Sequence, residues 1–159
     1  MTHRRPLIAA GILMGAGMGG FVDGIVFHQI LQWHNMLSSW LPPTNLVDAK
    51  INMLWDGIFH AAVWIMTFIG LWMLVRVAGR HDVPWSPQVF WGSWLLGWGL
   101  FNFIEGGIDH FILGVHHVNE YAPSPLAFDL LFQASGVVLA LLGWLIIRSA
   151  EGPATGPRH

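Results

Sequence analysis

The run DGIVFHQILQWHN at residues 23–35 decides the fold, because a second copy follows as EGGIDHFILGVHH at residues 105–117. Each copy has an acid followed by a glycine, a histidine five residues after the acid, and another histidine six residues later. Corresponding positions, such as Asp23 and Glu105, are 82 residues apart. One such pattern could arise by chance, but two in register predict an internal repeat that carries a duplicated chemical site.

The residues around these runs are strongly apolar. Of the 159 residues, 54% are hydrophobic and only 10% are charged, whereas a soluble domain carries about 25% charged residues. This composition predicts an integral membrane protein. The net charge of −2 without a basic stretch gives no support for nucleic-acid binding. Because the chain has no cysteine, any metal must be held by histidine, carboxylate, methionine or backbone oxygen.

Four apolar segments follow one another along the chain, each longer than the ~20 residues that span a hydrocarbon core ~30 Å thick. We therefore predict an all-α membrane protein in which residues 1–159 form a single domain, a four-helix bundle built from two tandem helical hairpins. The transmembrane helices are expected at about residues 6–33, 51–77, 87–115 and 126–147, followed by a disordered tail at residues 148–159.

The positions of the basic residues predict the orientation of these helices. An even number of crossings puts both termini on one side of the membrane, together with Arg4, Arg5, Arg76, Arg80, Arg148 and Arg158. Only Lys50 falls on the other side. Since short cytoplasmic loops carry an excess of lysine and arginine, both termini of this multi-pass membrane protein are expected to be cytoplasmic.

Acids and imidazoles gather near the extracytoplasmic ends of all four predicted helices. A charge at the bilayer centre costs at least ~2.5–3.5 kcal/mol, so such residues usually face a cavity and have a function. Almost none of these carboxylates has an arginine or lysine to pair with, so a metal cation or a proton is the expected counter-charge. The candidate metal ligands are Asp23, His28, Asp56, His60, Glu105, Asp109, His110 and Asp129, with His34 and His116 as further ligands or as partners of the ligands.

His28 and His110 raise a geometric question. Each follows its acid by five residues, which is roughly 140° around an ideal helix. A bulge at Gly24 and at Gly106-Gly107 could turn both histidines towards the acids, since π-bulges cluster at functional sites. Otherwise they point to a different helix interface, and the sequence leaves both alternatives open.

Several functions remain open on the residues alone. The first is a membrane metal protein with one or two transition metals near the extracytoplasmic face, and imidazole with carboxylate suits copper, zinc or iron. An open coordination position would suit an oxidase or a hydrolase, and a closed one a metal-handling factor. The alternatives are a haem-binding electron carrier with axial histidines and a proton or ion translocator. Whether the protein is an enzyme stays open.

Three runs resemble a bacterial family of small four-helix membrane proteins that is catalogued as a domain of unknown function. They are GGFVDGIVFHQILQWHNM, LWDGIFHAAVW and IEGGIDHFILGVHHV. The resemblance covers nearly the whole chain and implies the four-helix fold and a bacterial inner membrane, but no activity and no catalytic residue. It also implies an encoding beside copper-handling cytochrome oxidase assembly factors, which favours copper and respiratory-oxidase assembly partners. A homo-oligomer in the lipid bilayer is compatible with it.

Overall fold

Every regular element of the computed structural model, which describes residues 2–150, is helical. A 3₁₀ turn at Thr2–Arg4 leads into α1 at Arg5–Val22, which continues as a first π-helical segment at Asp23–Ile30. The other elements are α2 at Leu46–Ala78, α3 at Pro87–Gly106, a second π-helical segment at Gly107–Ile112, and α4 at Pro125–Ser149. The predicted all-helical class and the four helices are confirmed within these residues.

Three helical stretches are long and apolar enough to cross a membrane: Arg5–Ile30, Leu46–Ala78 and Pro125–Ser149. The sequence predicts a fourth crossing through α3. That helix has 20 residues, which is about the length needed to span the hydrocarbon core.

Local capping residues fix where the helices begin. The Asn45 side chain accepts hydrogen bonds from the backbone N–H groups of Val47 and Asp48 at 3.0 and 3.1 Å. This cap starts α2 at Leu46, several residues before the predicted start at residue 51, because asparagine satisfies N–H groups that lack a partner within the helix. Ser86 caps α3 in the same way, with Pro87 in the first turn, where its missing N–H is not needed.

The helical runs that carry the histidines end earlier than predicted. The first ends at Ile30 rather than residue 33, and the second at Ile112 rather than residue 115. Just after each end, Gln32 and Gly114 take positive φ angles of 52° and 59°. A left-handed residue at this position terminates a helix. At the other end of the chain α4 runs to Ser149, beyond the predicted residue 147, and most of the predicted tail, residues 151–159, lies outside the described residues.

The helices pack in the order α2, α1, α3, α4, so that α1 and α3 form the centre. Glycines make the central contact close: a Cβ on Gly15 would overlap the backbone of Trp94, and a Cβ on Gly97 would overlap the backbone of Ile12. Small residues in membrane helices allow this approach. The central pair therefore holds the two π-helical segments side by side.

The two ends of the molecule differ in character. Leu7, Val77, Val83, Val89 and Phe90 form a buried apolar cluster at one end. There the Arg4 guanidinium also donates a hydrogen bond to the Ala150 carbonyl at 3.4 Å. This end gathers the N-terminus, the α2–α3 connection and the end of α4. The opposite end holds the polar side chains described next.

Candidate metal centre

The two π-helical segments bring each histidine beside its acid. The backbone N–H of Leu31 donates to the Val26 carbonyl, and that of Leu113 to the Ile108 carbonyl, both at 2.8 Å. This five-residue bonding widens the turn. As a result His28 Nε2 lies 3.2 Å from Asp23 Oδ2. The matching distance, from His110 Nε2 to Glu105 Oε1, is 3.9 Å.

The chain then folds back and delivers a second histidine from each run. Trp33 N donates to the Phe27 carbonyl, and Val115 N to the Asp109 carbonyl, both at 2.9 Å. These bonds recur 82 residues apart, as do the two positive φ angles. The rings of His34 and His116 stack with centroids 4.4 Å apart and planes 4° from parallel.

Six side chains meet at this end and are called the histidine–carboxylate cluster. They are Asp23, His28, His34, Glu105, His110 and His116, and none is more than 9% exposed. Two groups of three have ligand atoms within 4.8 Å of one another. The first trio is His28, His34 and His116, and the second trio is Glu105, His110 and His116.

Hydrogen bonds hold three of the imidazoles by their Nδ1 atoms. His28 Nδ1 donates to Asp56 Oδ1 at 2.9 Å. His34 Nδ1 donates to the Val118 carbonyl at 2.9 Å, and His116 Nδ1 to the Met36 carbonyl at 3.1 Å. Because these oxygens only accept, each Nδ1 carries a hydrogen, and each Nε2 is the nitrogen left to bind a metal. Metal-binding histidines are oriented in this way by carboxylates or backbone carbonyls.

The interior of the cluster contains buried polar atoms that have no hydrogen-bond partner among the described residues 2–150. They are Asp23 Oδ2, Glu105 Oε2, the Nε2 atoms of His28, His34 and His116, and both ring nitrogens of His110. Buried polar atoms are nearly always paired, and leaving one unpaired costs about 1–3 kcal/mol. A cation among these lone pairs would satisfy them together.

The positions of these atoms approach the geometry of a metal site, and the electrostatics of His34 suit one. Tetrahedral zinc with bonds of ~2.0–2.1 Å holds its ligand atoms about 3.4 Å apart. Donor atoms that lie within 4.8 Å of one another would therefore move together by up to about 1.4 Å to bind one ion. Burial, with the neighbouring His116 and His28, holds the pKa of His34 well below its usual value. The neutral imidazole that results is the form that binds metals.

A family model described as "Predicted membrane protein (DUF2243)" matches residues 10–150. The chain belongs to this family. The matched range includes both histidine runs, and it confirms the membrane family of unknown function that the sequence resembles. Neither the search of curated proteins nor that of solved structures gave a match.

Two predicted ligands of this DUF2243 protein, Asp56 and Asp129, accept hydrogen bonds from histidines and loop N–H groups and do not belong to the set of unpaired atoms. Asp56 Oδ1 accepts from His28 and from the backbone N–H of Met36, the latter at 2.8 Å. Asp129 accepts from the backbone N–H of Val118 at 2.9 Å and from His117 Nδ1 at 2.6 Å. Both carboxylates hold the loops that follow the histidine runs.

Two other predicted ligands are not brought into the cluster. His60 Nδ1 donates to the backbone carbonyl of Asp56 at 2.7 Å, and the ring lines a separate cavity with Gln29 and Met53. Asp109 is half-buried and lines an apolar cavity. An acid next to His110 in sequence points about 100° away from it on a regular helix.

Sequence reasoning did not identify the groups that orient the histidines. The backbone carbonyl of Val118 accepts from His34 and that of Met36 accepts from His116, so each run orients a histidine of the other. Asn35 Nδ2 donates to Asp56 Oδ2 at 2.9 Å, and His117 holds the same place in the second run. No sequence signal marked these groups, because residues 35–36 and 117–118 share the offset of 82 but differ in type, Asn-Met against His-Val.

Proposed function

We propose that this chain is a membrane-embedded metal protein whose histidine–carboxylate cluster binds one or two transition-metal ions. The observation that carries the proposal is the set of buried donor atoms without a partner, above all the Nε2 atoms of His28, His34 and His116. A proton is a poorer match at His34, because a positive charge there would be buried beside the imidazoles of His116 and His28. A metal ion satisfies several lone pairs at once.

The number of donors supports two ions rather than one, although only one of the two ions can bind His116, whose Nε2 has a single lone pair. Each trio supplies three donors, and His116 belongs to both. Asp23, 3.2 Å from His28 Nε2, offers a further oxygen to the first trio. A single ion would leave part of the second trio unpaired, namely His110 with its two free ring nitrogens.

The donor types limit the metal to a few elements. Imidazole and carboxylate without thiolate suit copper, zinc and iron, and the copper-handling neighbourhood implied by the resemblance makes copper the first ion to test. A metal with an open coordination position would supply Lewis-acid or redox chemistry. A closed site would suit storage or delivery, including delivery to respiratory-oxidase assembly partners.

Stacked imidazoles favour metal ions over haem. The rings of His34 and His116 lie 4.4 Å apart in a parallel stack, which leaves no room for a macrocycle between them. His110 and His116, at 4.9 Å between centroids, are equally close.

We further propose that the chain spans the bacterial inner membrane four times as one domain made of two duplicated hairpins. The duplication is supported by hydrogen bonds and φ angles that recur 82 residues apart. The fourth span would be α3 with the π-helical segment that follows it. The end that gathers Arg4, Arg76, Arg80 and Arg148 would then be cytoplasmic, and the cluster would lie near the extracytoplasmic face.

Elemental analysis of the protein purified in detergent tests the metal proposal. We expect one or two transition-metal ions per chain after reconstitution of metal-free protein with Cu²⁺ or Zn²⁺. The double variant His34→Ala/His116→Ala should lose them, whereas the matched double variant His60→Ala/His81→Ala removes two histidines outside the cluster and should keep them. Equal metal content in the two double variants would refute the assignment, and an absorption band of haem would favour the electron carrier.

The orientation can be tested with single cysteines, because the chain has none of its own. Thr44→Cys and His81→Cys place a thiol in exposed connections on opposite sides of the proposed membrane. In intact spheroplasts, a membrane-impermeant maleimide should label the thiol at position 44 and leave the one at position 81 unlabelled until lysis. The reverse pattern would invert the orientation, and labelling of both from outside would remove the four-span arrangement.

A further inference from the structure

A cavity of about 310 Å³ lies between the start of α1 and the end of α2, at the end of the molecule opposite the cluster. It is lined by one residue of α1 and five from the end of α2 and the turn after it: Pro6, Trp72, Met73, Arg76, Val77 and Arg80. Its lining thus combines apolar residues with two arginines, at the level where a helix long enough to cross the membrane ends. Basic pockets between membrane helices on the cytoplasmic side are typical binding sites for lipid headgroups.

Both arginines are accessible from outside the protein. Arg76 is exposed, and its Cζ lies 5.1 Å from the centroid of the Trp72 ring, a cation–π contact that holds the guanidinium at the surface of α2. The Arg80 side chain is 48% exposed and donates to Asp82, from Nε to Oδ1 at 3.0 Å and from Nη2 to Oδ2. Because a guanidinium carries five N–H donors, Arg80 keeps donors for a second acceptor. Asp82 offsets the charge of Arg80 in part, so Arg76 is the main anchor for an anion.

An apolar stripe on the outer surface of α2 leads up to these arginines. Ile65, Ile69 and Trp72 belong to it and are 49%, 41% and 53% exposed. At ~100° per residue, these three and the two arginines, Arg76 and Arg80, fall within about 80° of one another around the helix. The stripe is apolar along the membrane-spanning part of α2 and basic at its end. A phospholipid carries its acyl chains and its phosphate in the same order.

We propose that this cavity binds an anionic phospholipid, whose phosphate contacts Arg76 and Arg80 and whose acyl chain lies along the apolar stripe of α2. Arginine suits this role because its planar N–H groups match two oxygens of one phosphate. A zwitterionic lipid offers the same phosphate, but it also brings a positive charge close to the two arginines, which repel it. The proposed orientation assigns the lipid to the cytoplasmic leaflet. The site does not depend on the metal, because the cluster lies at the opposite end of the molecule.

The end of α4 supplies a matched control. There the Cζ of Arg148 lies 5.2 Å from the centroid of the Trp144 ring, and the two residues are four positions apart, as Trp72 and Arg76 are. Four residues after Arg148 the sequence has Gly152 in place of a second arginine. Arg148→Gln therefore removes the same charge from a similar pair outside the cavity.

Native mass spectrometry of the delipidated protein in detergent tests the proposal by counting the lipids retained per chain. Dioleoylphosphatidylglycerol and dioleoylphosphatidylcholine differ only in their headgroups, and we expect selective retention of one phosphatidylglycerol. Arg76→Gln should weaken its binding about tenfold, which is the worth of one hydrogen bond to a charged group. Arg148→Gln should leave it unchanged. Equal retention of the two lipids, or equal losses in the two variants, would overturn the proposal.

Further probes distinguish a lipid from other anions. Inorganic phosphate or an oligoglutamate peptide that displaces phosphatidylglycerol at equal concentration would assign the arginines to a free anion or to an acidic protein segment, and would overturn the proposal. Ile69→Asn places a polar side chain in the apolar stripe and should weaken retention, whereas Leu142→Asn, on the exposed surface of α4, should not. Unchanged retention in Ile69→Asn would overturn the role of the stripe. Metal content measured on the same samples should be equal in all variants.

Discussion

The two halves of the cluster use matching positions but hold their histidines differently. His28 donates from Nδ1 to Asp56 at 2.9 Å, and its Nε2 lies 3.2 Å from Asp23. The matching histidine, His110, lies 3.6 Å from Asp129 and 3.9 Å from Glu105, and both of its ring nitrogens lack a hydrogen-bond partner within the described part of the chain. One imidazole is fixed before any ligand arrives, and the other is left without a hydrogen bond to fix it.

The difference between His28 and His110 goes with a difference in the following loop, where Asn35 precedes Met36 and His117 precedes Val118. In the first half Asn35 occupies Asp56 Oδ2, and Oδ1 receives both His28 and the Met36 N–H. In the second half His117 takes Asp129 Oδ2 at the short distance of 2.6 Å, and Oδ1 receives the Val118 N–H alone. Because a pre-oriented ligand loses less freedom on binding, the first trio should hold its metal more tightly than the second.

The largest expected effect comes from the histidine that both trios share. His116→Ala removes the one Nε2 lone pair that the two trios have in common, so we expect loss of the ion bound there. His34→Ala removes a donor from the first trio only and should spare the second ion. Mass-spectrometric metal content per chain, measured at equal protein concentration after dialysis, distinguishes the two variants.

His60→Ala is the control for this comparison, since His60 lies outside the cluster, and it should keep the wild-type metal content. Retention of both ions by His116→Ala would show that His116 is not a metal ligand.

The next effect separates the two ions by their carboxylates. Glu105→Gln replaces a ligand of the second trio with a neutral amide of the same shape, and we expect loss of the weaker ion with the tighter one retained. Asp23→Asn makes the same change beside His28 and should weaken the tighter ion instead. Isothermal titration with Zn²⁺ would resolve the two binding steps.

Identical titration curves for Glu105→Gln and Asp23→Asn would mean that both carboxylates serve one ion, and the proposed second site would be withdrawn.

An intermediate effect is expected from the two carboxylates behind the histidines. Asp56→Asn disturbs the acceptor that orients His28, and loss of such a partner typically lowers metal affinity by ~10–100-fold. Asp129→Asn should lower it much less, because His110 is not hydrogen-bonded to Asp129 in the first place. Competition with a chelator of known affinity measures both variants on one scale. Equal losses of metal affinity in the two variants would show that metal binding brings His110 into a hydrogen bond with Asp129 like the one between His28 and Asp56.

The sequence predicted the helices and the gathering of acids and histidines at one end of them, because both follow from the local pattern of apolar and polar residues. It left the orientation of His28 and His110 open, since α-helical and π-helical turns compete over a few residues and tertiary packing decides between them. Glycines at 24 and at 106–107 were the local signal for the π-helical turn, which the structure adopts.

His60 and the loop carbonyls show where sequence reasoning fails. The four-residue spacing puts Asp56 and His60 on one face of α2. Spacing alone does not say which neighbouring helix or loop that face contacts. In the structure His60 donates to the backbone carbonyl of Asp56 and does not reach the cluster. The carbonyls of Met36 and Val118 carry no sequence signal, because every residue has a carbonyl. Only the fold back after Gln32 and Gly114 brings them to the histidines.

The smallest expected effect concerns these two fold-back positions, which differ in strain but not in geometry. Gln32 and Gly114 have nearly the same φ, 52° and 59°, yet only glutamine carries a Cβ, which costs roughly 1–2 kcal/mol in left-handed backbone. Gly114→Ala should therefore destabilise the fold by about that amount, and because a Cβ there would meet nothing within 4 Å, packing would neither add to the loss nor offset it. Gln32→Gly should stabilise by less, about 0.5–1 kcal/mol, since glycine also raises the entropy of the unfolded chain. Equilibrium unfolding in mixed micelles measures the free energy of unfolding of both variants. No change of stability in Gly114→Ala would mean that the backbone at residue 114 adjusts to accommodate a Cβ.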